Sequence, residues 1–539
     1  MTSSLVWLVA LGPLALFLVY GLAGALRLRP YITSRLALSA AGLTLALALA
    51  ATLLVVTQGK LVTPALGIGG YGFGLYIDRL SICILCLVAF VGLVVLHYSA
   101  SYMQGDRHEA RFTRLLCLTL GSVLMVAISG NLLQFVLAWA ATSISLNRLL
   151  LFYPERANAQ LAARKKFIVS RLGDLCLIGA LLIVHHDFGS LDFTVMFAKA
   201  HVLRATGGVP DGIGIAAFLI VIAALLKSAQ FPTHGWLLEV METPTPVSAL
   251  LHAGIINAGG FLVLRFAGIV ALSVPSLDLL AVVGGFTALF GSIVMLTQTS
   301  VKVSLACSTV AQMGFMMLEC GLGAFSAALL HIVAHSLYKA HAFLSSGSVI
   351  DIARASYTPS PGGKPHPWRL VFAILVVIAI AFLFGSLTGA TIASEPGVVV
   401  LGAILLLSLT HLVAGGIDET PHSFVILRVI GFALVVAALY FALQYLTAQA
   451  MHGALPRTAP LRGPFGLMII ALVIGSFALI TYLQGLAAAG AIGPRFQAFY
   501  AHVNNGLYVN TWLNRLVLAY SPSLKESARH PTPFLGEAD

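Results

Sequence analysis

Along this chain, windows of about 20 apolar residues alternate with short polar stretches. They predict membrane-spanning helices at about 4–26, 35–57, 79–99, 115–128, 131–152, 167–186, 213–229, 246–270, 277–297, 302–320, 324–350, 370–391, 397–415, 424–448 and 465–489. Fifteen such windows point to an all-α polytopic membrane protein with about 13–16 transmembrane helices. The first window follows Met-Thr-Ser-Ser without a basic n-region or a cleavage site, so it reads as a retained span rather than a signal peptide.

The apolar pattern is interrupted most heavily between Leu226 and Leu264, where Lys227, Pro232, His234, Glu239, Glu242, Pro244, Pro246 and His252 all fall. An ionisable side chain at bilayer depth costs roughly 3 kcal/mol on insertion scales, so such groups normally line an ion or substrate path. Pro232, Pro244 and Pro246 each remove a backbone donor. Helices broken there are tolerated only around a protein-lined or water-filled cavity. The segment therefore reads as the centre of a transport path. Lys227, at the end of the seventh window, either snorkels to the interface or sits in the cavity, and the adjacent break favours the cavity. His252 lies between the Pro244-Thr245-Pro246 entry and Gly259-Gly260, where small residues admit another backbone or let the helix unwind. A lone helix histidine is often a satisfied core residue; the polar neighbours of His252 favour a proton relay.

The eleventh window carries His331, His335 and Lys339 at i, i+4 and i+8, which places three titratable side chains on one helical face. Three readings compete: a metal site, a polar helix contact and a proton wire. His331-Ile-Val-Ala-His335 has the histidine spacing of a zincin helix but lacks the adjacent glutamate, and no acidic third ligand is apparent in the sequence. A structural contact accounts for one histidine but hardly for all three groups. Histidine titrates near neutral pH, and a hydrated chain of histidine and lysine can pass protons, which favours the wire. Lys302, after Thr297-Gln-Thr-Ser300, is either an anchor at the cytoplasmic end or a link between Lys227 and the histidine row. Asp174, three residues after Arg171, is the candidate carboxylate either to neutralise a lysine or to close a local pair with Arg171. His411 is the one strongly titratable group of the thirteenth window, with a structural and a functional reading equally open.

Composition reinforces the membrane class. Of 539 residues, 59% are hydrophobic and 9% charged, too few polar groups to coat a soluble globule of this size. The net charge of +11 is concentrated in alternate loops. Arg27, Arg29 and Arg35 follow the first window, Arg107, Arg111 and Arg114 the third, Arg156, Arg164, Lys165 and Lys166 the fifth, and Arg354, Lys364 and Arg369 the eleventh. By the positive-inside rule this places the N-terminus outside and the polar tail in the cytoplasm. The same bias explains the basic balance, so no nucleic-acid partner is expected. All six cysteines fall within apolar windows, and the zinc-like spacing of Cys83 and Cys86 has no second pair, so no metal is expected in this chain. A Walker A loop, a dinucleotide fingerprint and a nucleophile elbow are all missing, so no catalytic residue is assigned.

Four stretches resemble the antiporter-like membrane subunits of respiratory complex I and of Mrp-type cation antiporters: Phe73-Gly-Leu-Tyr-Ile-Asp-Arg-Leu-Ser81, Lys227-Ser-Ala-Gln-Phe-Pro232, Pro244-Thr-Pro-Val-Ser-Ala-Leu-Leu-His252, and His331 through Ser348. The resemblance covers roughly residues 70 to 352. It implies a central proton-translocating axis of Lys227, His252, Lys302, His331, His335 and Lys339. It also implies inverted repeats with broken helices, a general transporter design. The chain then divides into N-terminal helices at 1–110, a first repeat at 111–270, a second at 271–420, C-terminal helices at 421–490 and an amphipathic cytoplasmic tail at 491–539.

Two departures stand out. The Trp-Glu of the complex I pattern is Trp139-Ala140 here, so the acid that would pair with Lys227 is missing and Asp174 is the candidate substitute. The axis also ends at His411 instead of a lysine or glutamate, and the tail is short. His252-Ala-Gly-Ile-Ile-Asn-Ala-Gly-Gly-Phe261 is more similar to a divergent branch, the membrane subunits of two-component inorganic-carbon accumulation complexes called DAB. That resemblance implies a non-enzymatic subunit of a bacterial inner membrane that passes protons down their gradient. The gradient would drive hydration of CO2 to bicarbonate by a large soluble carbonic-anhydrase-like partner on the cytoplasmic face, and the zinc would belong to that partner. The alternative is a proton- or sodium-translocating subunit of a complex I-like or Mrp assembly. The tail segment Phe496 to Leu518, with Tyr500, Tyr508 and Trp512 among several asparagines, reads as an interfacial helix or a docking element for the partner.

Overall fold

The computed structural model describes residues 5–347 apart from 69 and 70, and 423–520 apart from 457–463 and 489–493, with scattered positions between 375 and 405. The main helices are α1 (Leu11–Ala25), α2 (Pro30–Gln58), α3 (Arg79–Tyr102), α4 (Glu109–Ile128), α5 (Leu132–Leu150), α6 (Ala157–Phe188), α7 (Phe193–Thr206) and α8 (Asp211–Lys227). They continue as α9 (Thr245–Ala253), α10 (Ala258–Arg265), α11 (Val274–Thr297), α12 (Val301–Gly321), α13 (Phe325–Leu344), α14 (Ser423–Ala450), α15 (Pro464–Ala488), α16 (Pro494–Asn504) and α17 (Val509–Ala519). Among the described residues nine helices are long and apolar enough to cross a membrane, or ten with one bent pair. The all-α polytopic class holds. The window at 370–391 and most of 397–415, with His411, lie outside the described residues. Two short antiparallel ladders were not predicted: Leu61–Val62 pairs with Tyr76–Ile77, and Leu66–Ile68 with Tyr71–Phe73.

The span that carries the breaks is also the most enclosed: 89% of its best apolar window is buried, against 39% and 33% for the outer spans at Trp7–Ala25 and Pro30–Gln58. Leucines of α1 and α2 such as Leu18 and Leu53 point outward, as a lipid-facing rim requires. Toward the centre, α7 and α8 meet at a 118° bend. Beyond Lys227 the chain leaves long helix, with Pro232 inside the interruption; only a helical turn at Gly235–Leu238 and a 3-10 turn at Glu239–Glu242 intervene before the longer helix that begins at Thr245. Pro244 immediately precedes α9 and Pro246 sits in its first turn, where a missing N–H has no helical acceptor to lose. The window predicted as one helix over 246–270 is interrupted again at Gly254, whose φ of −123° and ψ of −68° leave the helical region before α10 resumes. Unwinding therefore occurs at Gly254. Gly259 and Gly260 stay helical and serve close approach: a Cβ on Gly259 would lie 2.5 Å from the Ala224 carbonyl oxygen of α8.

Helices α11 and α12 pack along their length through Gly284, Gly291, Gly314 and Gly321. A Cβ on Gly314 would stand 2.4 Å from the Ala288 nitrogen, and one on Gly321 2.3 Å from the Ala281 nitrogen. In lipid, where apolar burial alone gives helices little reason to associate, such backbone-to-backbone contact supplies the van der Waals attraction.

On one membrane face the Tyr153 hydroxyl donates to Asp106 Oδ2 at 2.8 Å. Burial, reinforced by this bond, pushes the phenol up to about 12. The contact joins the loops after α3 and α5, so those two loops share a face, as the charge pattern requires. One part of that pattern needs correction. Lys165 and Lys166 are not loop cations; they lie inside α6 at 5% and 2% exposure.

Replacing Gly314 with valine should lower the thermal unfolding midpoint of the detergent-solubilised protein by an amount corresponding to roughly 1–3 kcal/mol of overpacking. Gly21→Ala, where no atom lies within 4 Å of the added Cβ, should leave it unchanged. Equal midpoints in the two variants would contradict the close seam.

Candidate functional site

Lys227 closes α8 with 8% exposure. Its Nζ donates to Ser143 Oγ on α5 at 2.7 Å and stands 4.5 Å from the Trp139 ring centroid. Lys166 of α6 donates to the backbone carbonyl of the same Ser143. One serine thus serves two lysines, one turn along α5 from Ala140, the position of the missing acid. Asp174 does not bond Lys227. Its direct partner is Arg171 at 2.7 Å, so of its two candidate roles the structure displays the local pair, with Lys227 within reach of its charge. A hydroxyl can accept from an ammonium or donate to a free amine, so Ser143 suits either protonation state of Lys227.

From Lys227 a cavity lined by Trp139 and Thr142 at this end runs between apolar walls to Asn257 and Ser336. There Asn257 Nδ2 donates to Ser336 Oγ at 2.8 Å. Ser336 neighbours His335 in the chain, which brings the cavity to the second cluster. His252, fully buried, shares a 3.0 Å hydrogen bond between Nδ1 and Thr309 Oγ1 and stacks on Phe343 at 4.4 Å. The His335 ring centroid lies 6.1 Å from that of His331. Lys339 donates to the Leu305 carbonyl of α12 at 2.8 Å, and Lys302 to Thr245 Oγ1, at the start of α9, at 3.3 Å. Lys302 therefore touches the first residue of the helix that carries His252. His331, His335 and Lys339 follow one another at single-turn spacing on α13, and the partners of His331 and Lys339 lie on α12.

Glu319 escaped the sequence reading. Its carboxylate lies 3.1 and 3.2 Å from His331 Nδ1, and the available signal was a single acid inside an apolar window. Among the described residues, no group of three or more histidine, cysteine or carboxylate side chains could hold a metal ion. A second missed set is structural: Arg265 Nη1 donates to Asp78 Oδ2 at 3.0 Å and Nη2 to Ser81 Oγ at 2.6 Å, while Asp78 Oδ1 caps α3 by accepting from the Ser81 N–H at 2.8 Å. This explains physically why Asp78 and Ser81 stand three apart in the Phe73–Ser81 stretch. The third missed pair, Lys165 with Glu239 at 2.5 Å, sits beside the interruption after α8.

Interrupted helices enclosed by a polytopic bundle, with lysines and histidines gathered at the interruptions, define an antiporter-like membrane subunit. Residues 129–358 match the family model described as NADH:quinone oxidoreductase/Mrp antiporter, TM, and residues 69–113 that of the N-terminus of complex I chain 5. The chain is 41% identical over 462 residues, 85% of its length and 82% of the relative's, to the "Probable inorganic carbon transporter subunit DabB2" of Halothiobacillus neapolitanus. It is 37% identical, over 85% of each chain, to the "Probable inorganic carbon transporter subunit DabB" of Hydrogenovibrio crunogenus. By fold it is similar to a chain of the Mrp complex from Dietzia sp. DQ12-45-1b, with a TM-score of 0.57 and 23% identity over 99% of this chain and 58% of that one. The chain belongs to the DabB family of inorganic carbon transporter subunits, within the wider antiporter-like fold.

Asp78 and Arg265 should behave as one unit. Arg265→Leu alone leaves a carboxylate without its cation and should destabilise the protein by roughly 3–5 kcal/mol, whereas adding Asp78→Asn should recover part of that loss. Thermal unfolding of the single and double variants checks this. Additive losses would show that the two residues act independently.

Proposed function

We propose that the chain is the energy-coupling membrane subunit of an inorganic-carbon transport complex. In this reading it passes protons down their gradient to drive hydration of CO2 to bicarbonate by a soluble zinc-containing partner resembling carbonic anhydrase. The observation that carries the reading is the pair of basic clusters joined by one cavity: Lys227 on Ser143 at one end, and Ser336 beside the His331, His335, Lys339 row at the other. Buried titratable groups separated by reorientable hydroxyls and amides are what stepwise proton passage needs. The names of the relatives supply the substrate class. Hydration by itself only equilibrates CO2 with bicarbonate, so accumulation needs an energy input. One proton crossing 100 mV is worth roughly 2.3 kcal/mol, enough for more than a tenfold concentration ratio.

In this reading protons enter the Lys227 cluster in the first repeat and cross to the histidine row in the second. The chain has its N-terminus outside and its tail in the cytoplasm, facing the soluble partner; the loop arginines that remain after Lys165 and Lys166 are removed support that orientation. It carries no cofactor of its own and performs no covalent chemistry. A second reading, cation translocation within an Mrp-like or complex I-like assembly, is favoured by the family model and by the fold likeness to the Mrp chain.

Purifying the tagged chain from its native membrane, with mass spectrometry and a zinc assay on what accompanies it, separates the two. A single large soluble zinc protein is expected. A set of hydrophobic antiporter-like or redox subunits would establish the second reading instead. Lys227→Ala and Lys339→Ala should each cut cellular inorganic-carbon accumulation by at least about tenfold, as removal of a proton-transfer group does, with protein level and copurification unchanged. Unimpaired accumulation in both variants would overturn the proton path.

A further inference from the structure

The tail helix reaches back into the bundle. Asn510 and Asn514 are one turn apart on α17 and so point their amides the same way. Lys165 Nζ donates to Asn510 Oδ1 at 2.8 Å and to Asn514 Oδ1 at 2.5 Å. The Nδ2 of each asparagine donates to Glu239 Oε1 at 2.9 Å. Glu239 Oε2 in turn lies 2.5 Å from Lys165 Nζ. The four side chains form a closed ring with both amides in one orientation, so each asparagine satisfies the cation and the anion together. The backbone is shaped for this insertion: a Cβ on Gly235 would lie 2.0 Å from Asn510 Oδ1.

This ring adjoins the Lys227 cluster on two sides. Lys166 follows Lys165 on α6, and Trp236 follows Gly235 in the interruption after α8. Both line, with Lys227, a second and smaller cavity. The Trp236 Nε1 donor is buried there with no protein partner among the described residues. Glu239 keeps 18% of its side chain exposed, while Lys165 keeps 5%. The side chain therefore reaches the surface, while its Oε2 is itself buried against the lysine. Because both amides bond Oε1, Oε2 faces Lys165 without competition from them.

We infer that Glu239, paired with Lys165, is the proton-exchanging carboxylate that serves Lys227 from the tail side of the membrane, and that Asn510 and Asn514 are positioning residues that hold it there. The inference rests on the proton-path reading, and it assigns the work of the acid missing at Ala140 to a carboxylate on a different element. The step balances. Glu239 takes a proton from the aqueous face and releases one inward; Lys166 accepts that proton at its amine and yields one to the free amine of Lys227. The carboxylate is restored and one proton has moved.

The test measures inorganic-carbon accumulation against external pH in cells that carry the intact transport complex, with each variant's abundance in the membrane measured alongside. Glu239→Gln preserves shape and amide contacts and should reduce accumulation at least about tenfold, with partial recovery in Glu239→Asp. The double variant Asn510→Leu, Asn514→Leu should shift the pH profile with every titratable group still present. Gly235→Val, whose side chain would press on Asn510 while all four ring residues keep their identity, should shift it in the same direction. If the asparagine or glycine variants fail to accumulate in the membrane, Glu239→Gln and Glu239→Asp decide. Accumulation at the unaltered rate and pH profile in Glu239→Gln, with Lys227→Ala inactive, would overturn this inference alone. Loss in Glu239→Gln without recovery in Glu239→Asp and without a changed pH profile would reduce Glu239 to a structural role, overturning it as well. Full activity in Lys227→Ala would remove the proton path and the inference with it.

Discussion

The constraint on which this molecule depends is the cost of leaving a charge unaccompanied in a medium that cannot solvate it. Every buried cation described above answers it with a nearby oxygen. Arg265 meets a carboxylate and a hydroxyl, Lys227 a hydroxyl, Lys166 and Lys339 backbone carbonyls, and Lys165 a carboxylate and two amides. Backbone carbonyls are available to side chains only where their own helical bonds are missing or shared, and free backbone groups in a membrane must face protein or a lined cavity. The carbonyls of Ser143 and Leu305 lie inside α5 and α12 and are therefore shared with helical bonds, whereas the interruptions at 228–244 and at Gly254 require only enclosure by the surrounding helices.

The kind of partner separates cations that hold the fold from those suited to carry a charge. Arg265 is held in a fork by Asp78 and Ser81, and its guanidinium does not lose its proton; it is an anchor. Lys227 and Lys339 rest on neutral oxygens, which tolerate either the ammonium or the amine. The histidine row adds rings that exchange protons at two nitrogens, with Glu319 fixing the outermost. The molecule thus combines close glycine contacts between α11 and α12 and the Arg265 fork with lysines held by neutral oxygens.

Much of this could be read from the sequence because polarity inside an apolar window is costly and therefore informative. The segment around Lys227 to His252 and the regular spacing of His331, His335 and Lys339 stood out for that reason, and both line the clusters in the structure. Residues that looked ordinary were missed. Lys165 and Lys166 follow Arg156 and Arg164 in a basic run, and window statistics assign such a run to a loop, yet α6 begins early enough to bury both. Glu319 stood alone at the end of a window, so nothing local suggested that His331 would meet it. Glu239 was noticed as polar, but its partners lie 271 and 275 residues away in the chain, beyond any spacing rule. The unwinding point was displaced for a similar reason: proline is the louder signal, while Gly254 breaks the helix only because the surrounding packing allows it.

The Arg265 fork also places the finished structure in time. Asp78 and Arg265 are separated by 187 residues, so on a ribosome adding about 5–20 residues per second the carboxylate at the head of α3 waits on the order of 10–40 seconds for its cation to be made. Over that interval Asp78 can be kept only by water at the membrane surface or by the insertion machinery. Within the chain, the third span therefore carries its carboxylate on the local Ser81 N–H alone until α10 is made, and the ion pair that closes the fork is among the later contacts the chain can form.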